Sequence, residues 1–194
     1  MDIISNRLIL RKPNSNDLCD FYRIYADPAT NVFNPKGPIE NIEIAQDILQ
    51  LWISQWQQDG FGMWVISPRE DEFNILGFGG FTHRQFAGQP IINLGYRFAV
   101  QAWGNGYATE ATKAMLQAGF DQCQLQLVNA TVRINHRASQ KVLEKSGFVY
   151  KKTVQDQPHV LPAHVYQYNI SKWRVERLNH YRNQAIQHIN HNQL

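Results

Sequence analysis

Residues 101–111, QAWGNGYATEA, place two glycines, Gly104 and Gly106, at the passage from an apolar run ending at Val100 to a helix-forming segment that begins near Tyr107. The first turn of a helix presents N–H groups that no upstream carbonyl can accept. The helix dipole adds partial positive charge at the same point. Glycine keeps this main chain bare, so an anion can approach it, and a pyrophosphate is the expected guest. Spacing removes two nucleotide motifs. G-x-x-x-x-G-K-[ST] is absent, and G-x-G-x-x-G fails because Thr109 stands three residues after Gly106. A bare G-x-G is equally compatible with a tight turn.

Upstream of this turn, FGMWVIS, NILGFGGFTH and IINLGYRFAV are rich in β-branched and aromatic residues and are separated by the turn-forming stretches PREDEF and AGQP. They are expected to be consecutive antiparallel strands. Further back, RLILRK alternates as a strand, PNSND supplies capping side chains, and LCDFYRIYAD follows as a helix. Ile42, Ala45, Ile48, Leu49, Trp52, Ile53 and Trp56 share one helix face, which Gly60 ends. Downstream, a helix over YATEATKAMLQAGFDQC precedes the strand LQLVNATVRI, the helix ASQKVLEKS and the strands GFVYKKTV and AHVYQYNIS. This order predicts an α+β fold around one mixed, mostly antiparallel sheet.

A chain of 194 residues is read as a single domain over 1–194, with 174–194 a polar tail of helical spacing at Trp173, Leu178, Tyr181 and Ile186. No apolar run is long enough to span a bilayer, no secretory leader is evident, and the cytoplasm is the expected compartment. Cys19 and Cys123 stand alone, so neither a disulfide framework nor a thiolate metal site is expected. The net charge of +3 gives no argument for direct nucleic-acid binding. A homodimer contact or a monomer fits the tail equally.

The string Gln101-x-x-Gly104-x-Gly106 resembles the acetyl-CoA-binding motif [RQ]-x-x-G-x-[GA] of the GCN5-related N-acetyltransferases (GNAT). SNRLILRKPNSNDL, GFGMWVI, NLGYRFAVQAWGNGYATEA and ASQKVLEKSGFVY are similar, in order, to the ribosomal-protein-alanine and -serine acetyltransferase branch of that family. The resemblance covers about Arg7 to about Trp173. It implies a three-layer α/β/α fold whose sheet is splayed at the acetyl-CoA site, and transfer of acetyl from acetyl-CoA to a primary amine by direct attack in a ternary complex, with no metal. It further implies that Phe98, Ala99 and Val100 pair with the pantetheine arm, and that Gln101, Gly104, Asn105, Gly106, Tyr107 and Ala108 hold the pyrophosphate. An N–H near Phe98 would stabilise the oxyanion.

Where many members of the branch carry a glutamate base, this chain has Asn93. Asn93 either orients the amine or is a plain strand residue; alternatively the protein is a catalytically impaired acyl-CoA-binding or sensor protein. His83, His159 and His164 are the candidate bases elsewhere in the chain. Ser139 takes the branch's serine position, either bonding the sulfur or capping a helix. Asn135 or His136 is expected against the pantetheine, Asn135 being the better chemical fit. Glu110 is read as a first-turn dipole partner. The segment from Gly37 to Gly60, which roofs the acceptor pocket in the family, carries Glu40, Glu43, Asp47 and Asp59. That charge suits a ribosomal-protein N-terminus or a small cationic amine as acceptor, or is simply a solvated helix face.

Overall fold

The structure is a computed structural model that describes residues 2–191, except the side chains of His180 and of residues 183–191. The apolar–polar alternation along the chain builds eight strands: β1 (Ile3–Ile4), β2 (Leu8–Arg11), β3 (Met63–Pro68), β4 (Gly77–Phe86), β5 (Gln89–Phe98), β6 (Leu127–Arg133), β7 (Val149–Val154) and β8 (Ala163–Asn169). They form one sheet in the order β1-β2-β3-β4-β5-β6-β8-β7. Every neighbouring pair is antiparallel except β5 with β6. The fold is therefore the α+β arrangement, with the mixed and mostly antiparallel sheet, that the sequence predicts.

Five α-helices flank the sheet: α1 (Leu18–Tyr25), α2 (Ile42–Asp59), α3 (Tyr107–Asp121), α4 (Arg137–Lys145) and α5 (Ile170–His191). Their ends follow local chemistry. Asn41 accepts the Ile44 N–H at the start of α2, and Gly60, at φ +71°, closes it in the left-handed conformation. The side chains of α1 and α2 bury Phe21, Ile24, Ala45 and Leu49 against Met63, Val65 and Phe78 on one face of the sheet. On the other face Ala111, Met115 and Leu116 of α3 and Leu143 of α4 pack with Trp64, Phe81, Leu94 and Phe98. The period of two along β3, β4 and β5 is what divides these residues between the two cores.

Two features differ from expectation. AGQP is not a four-residue turn: Ala87 and Gly88 alone reverse the chain, at φ +50° and +77°, while Gln89 and Pro90 already pair with Phe86 and Gln85. Left-handed conformations at both central residues match the twist of a two-residue hairpin. The very short β1 carries too few residues for a periodic signal. In the C-terminal helix, Leu178 and Tyr181 are exposed, and the Ile186 side chain lies outside the described residues. Trp173 stacks on Phe120 at 5.9 Å and donates to Asp121 at 3.1 Å.

β4 approaches β3 closely at Gly80. A Cβ there would lie 2.2 Å from the Gly62 carbonyl oxygen and 2.5 Å from the Met63 Cα, both main-chain atoms in the sheet. Gly80→Ala is therefore expected to destabilise the fold by roughly 3 kcal/mol or more, since the strands must part to admit a methyl group. Urea unfolding, comparing midpoints at equal slope, checks this.

Candidate active site

β5 and β6 meet at a single register pair, Asn93 with Asn129, and run parallel. Beyond that pair they part. In an antiparallel ladder alternate residues aim their main-chain groups at opposite neighbours. The Ala99 N–H bonds the Leu76 carbonyl beside β4 at 2.8 Å, so Tyr96 and Phe98 turn theirs the other way, into the gap. The Phe98 carbonyl takes Trp103 Nε1 at 2.9 Å. The gap opens into a groove of about 740 Å³, walled by residues 94–98 of β5, 130–133 of β6 and the first turns of α3 and α4, and covered by residues 29–35.

At one end of this groove stands the glycine turn. Gly104 and Gly106 adopt φ +77° and +78°, values that admit glycine readily and branched residues poorly. Among the described residues, no protein acceptor is within hydrogen-bonding reach of the N–H groups of Gly104, Asn105, Gly106, Tyr107 or Ala108, whereas Thr109 and Glu110 already bond the Gly106 carbonyl. Nothing lies within 4 Å of the position a Gly104 Cβ would take. A run of free donors opening on space at a helix start is suited to a diphosphate.

Glu110 fixes the turn. Its carboxylate accepts the Arg7 N–H at 2.7 Å, the Ser5 hydroxyl at 2.7 Å and the Arg7 Nε at 2.8 Å, while Arg7 also donates to the Asn105 carbonyl at 3.0 Å and lies over the Tyr107 ring. Burial pushes this carboxyl upward, but the three hydrogen bonds and the guanidinium outweigh it and hold the pKa below the ordinary glutamate range. The dipole role expected from sequence is thus joined by a clamp that no local pattern reveals, because its partners lie about a hundred residues away.

Deeper in the groove, the Ser139 hydroxyl stands 2.9 Å from the Tyr96 hydroxyl, and burial raises the Tyr96 pKa to about 12, so it is protonated at neutral pH. Asn93 is buried; its amide nitrogen donates to the Leu94 carbonyl at 3.0 Å and its oxygen accepts the Thr131 hydroxyl at 3.2 Å. Arg84 in turn donates to Thr131 at 2.6 Å. His136 stacks on Phe33 at 3.9 Å across the groove. Its buried Nδ1 has no partner, and burial lowers its pKa, leaving a neutral ring.

Of the residues expected at the cofactor, Phe98, Gly104, Gly106, Tyr107 and Ala108 line the groove, as do Asn93 and Ser139. Val100, Gln101 and Asn105 stand outside the lining. Ala99 is unsuited to pairing with a ligand, because its N–H bonds Leu76 and its carbonyl accepts from Ala102 at 2.9 Å. Asn135 is exposed and outside the groove, while His136 lines it, because only the latter's ring turns inward at the start of α4. His83 pairs with Asp59 at 3.0 Å and His164 with Thr153 at 2.7 Å; neither these nor His159 line the groove. Glu40, Glu43, Asp47 and Asp59 are exposed and do not roof it. Tyr96, Thr131, Arg84 and Arg97 escape sequence reading; the shared strand parity of Asn93 and Arg97 was the available signal. Among the described residues no helix is long and apolar enough to cross a membrane and no cluster of three or more His, Cys, Asp or Glu could hold a metal.

The clamp makes a pH-dependent prediction. A carboxylate with a depressed folded pKa contributes stability above its unfolded pKa and loses it as pH falls through the folded value. Glu110→Gln is expected to lower stability by roughly 1–2 kcal/mol at about pH 7. The gap from wild type should narrow as pH falls below the ordinary glutamate range; thermal melts at neutral and at acid pH check this.

Residues 7–149 match the acetyltransferase (GNAT) domain family. The chain is 37% identical over 109 residues to the protein YkkB of Bacillus subtilis, a stretch that is 54% of this chain and 62% of YkkB, so the match spans less than two thirds of that relative. It is 26% identical over 144 residues to the N-acetyltransferase YoaA of the same organism, covering 74% of this chain and 80% of YoaA. In structure it is similar to RimL, a ribosomal L7/L12 α-N-protein acetyltransferase solved with coenzyme A: the TM-score is 0.71 at 15% identity, covering 89% of this chain and 99% of RimL. With the family matched across most of its length, and with a split sheet and an anion-ready turn to go with it, the chain belongs to the GNAT acetyltransferases, the N-acetyltransferases that use acetyl-CoA.

Proposed function

We propose that the protein transfers the acetyl group of acetyl-CoA to a primary amine by direct attack in a ternary complex. The observation that carries this reading is the run of free N–H groups at residues 104–108, opening on a groove whose wall at Tyr96 and Phe98 offers unpaired main-chain groups. A diphosphate fits the first and a peptide-like pantetheine arm the second. Acetyl-CoA supplies an activated thioester when bound.

The chain's own residues then divide the work. Ser139, held by the Tyr96 hydroxyl at 2.9 Å, donates to the sulfur, and the protonated Tyr96 stands behind it as a further donor. A main-chain N–H of β5 aimed into the gap closer to Asn93, that of Tyr96, stabilises the developing oxyanion. Asn93 positions the amine. Its oxygen already accepts the Thr131 hydroxyl, and an amide cannot take a proton at neutral pH, so the amine's proton leaves to solvent water. Among the described residues no Asp or Glu lines the groove to receive it. The chain acts as one acetyltransferase domain over 1–194, with the polar segment from 174 a helical appendage as far as His191, since none of its described side chains lines the groove; residues 192–194 of that segment lie outside the described residues.

Two substitutions separate binding from chemistry. Gly104→Val puts a β-branched residue at φ +77°, which reshapes the turn, and should weaken acetyl-CoA binding by at least about tenfold in calorimetry on folded protein. Asn93→Ala and Ser139→Ala should each lower kcat by at least about tenfold while leaving acetyl-CoA affinity within about twofold. The assay is coenzyme A thiol release with a panel of amines. Acetyl-CoA binding without thiol release from any amine would replace the enzyme with a sensor.

A further inference from the structure

Among the described residues the groove is lined by five Lys or Arg side chains and by no Asp or Glu. Lys141 and Lys145 lie on α4, on the same side of the sheet as α3 and its phosphate-ready turn, and suit a nucleotide. The three arginines lie elsewhere. Phe98 and Leu94 of β5 pack into the α3 core, so Arg97, one residue before Phe98, falls on the opposite face; its cross-strand partner Phe78 lies in the α1–α2 core. Arg97 accordingly sits over the ring of Tyr25 in α1. Arg84 opposes Ile91, whose parity is that of Asn93 and Arg97, and reaches Thr131 beside Asn93. Arg84 and Arg97 thus face the acceptor side of the sheet, away from the α3 turn.

Their partners differ in kind from those of the third arginine. Arg133 is neutralised by Asp156, at 2.5 and 3.1 Å, and donates also to the Leu161 carbonyl. Arg97 donates once, to the Asn31 side-chain oxygen at 2.5 Å, and Arg84 once, to Thr131 at 2.6 Å. Among the described residues neither has a carboxylate within ion-pair distance. Both are half-buried, and burial pushes the pKa of each below the ordinary arginine value. A partly desolvated guanidinium with most of its five donors unspent and no carboxylate in ion-pair contact, Asp156 acting on Arg84 only at longer range, is an unfavourable arrangement that an incoming oxyanion relieves. Ile91 lies two residues from Asn93 along β5, about 7 Å, which puts Arg84 within one small molecule's length of the reacting centre.

From this we infer that the acceptor is a small anionic amine, one that carries a carboxylate or phosphate which Arg84, aided by Arg97, pairs with while its amino group meets the thioester beside Asn93. This rests on the acetyltransferase reading above. It reverses the charge expected from the acidic residues of α2, which point to solvent instead.

The test is thiol release from acetyl-CoA with glutamate and phosphoethanolamine, with glutamine and ethanolamine as neutral counterparts and with spermidine as a cation. For at least one anionic amine, kcat/KM should exceed that of its neutral counterpart by at least about tenfold and should exceed that of spermidine. The amine giving this preference also distinguishes carboxylate from phosphate. Arg84→Gln should bring that ratio close to one, Arg84→Lys should keep part of it, and calorimetry should find acetyl-CoA affinity unchanged in both. Turnover that favours spermidine or is indifferent to charge overturns the inference and leaves the acetyltransferase reading standing. So does a loss of acetyl-CoA affinity in Arg84→Gln, which would assign the guanidinium to the nucleotide. Absence of turnover with every amine overturns both.

Discussion

A sheet that fails to close is the constraint on which the rest of the molecule depends. β5 and β6 share one register pair, Asn93 with Asn129, and past it the main chain of β5 has no partner strand on its β6 side. Unpaired N–H and C=O groups lining an enclosed gap are unfavourable unless water or a ligand satisfies them. The fold tolerates the defect because everything around it is over-determined: β4 and β5 pair along ten consecutive positions, and β6 is held from the other side by β8 over its whole length. The two halves are rigid and the seam between them is free to host a ligand.

The same geometry distributes charge. On the α3 side the seam ends at a helix start with bare glycines, kept in shape by the Glu110 clamp to Ser5 and Arg7. The turn between β1 and β2 therefore helps shape the candidate phosphate site, although it lies far from it in sequence. On the α1–α2 side the strand residues of opposite parity bring Arg84 and Arg97 to the groove without a carboxylate in ion-pair contact among the described residues. The paired strands β4 and β5 thus present β5 main-chain donors to the gap and one guanidinium group each to the opposite face, an arrangement under which the proposed anionic acceptor would lie apart from the cofactor's diphosphate.

What the sequence discloses and what it hides follow from the range of the interactions. Strand alternation, the α2 face ended by Gly60 and the glycine turn before α3 are local patterns, and all three stand where the residues place them. The ends of the β4–β5 hairpin were less legible, because Pro90 suggests a turn; it is tolerated in β5 since its missing N–H would face away from β4. The site is legible to the same degree. Gly104, Gly106 and Ser139 announce themselves by motif. Tyr96 behind Ser139, Thr131 between Arg84 and Asn93, and Ser5 on Glu110 arise from pairs 38 to 105 residues apart, which no window of sequence contains. The acidic stretch around α2 leaves two readings open in the sequence for a related reason: composition gives the sign of a segment but not the direction its side chains take, and these carboxylates stand exposed outside the groove lining.

Residue-resolved amide hydrogen exchange, with and without coenzyme A, tests the open seam most directly. The account predicts that the Tyr96, Phe98 and Gly104 to Ala108 amides exchange freely in the unliganded protein and slow markedly with coenzyme A, whereas the Ala99 amide, already bonded to Leu76, is protected in both states. Coenzyme A binding that leaves the amides of Phe98 and the glycine turn exchanging at their unliganded rates would contradict it.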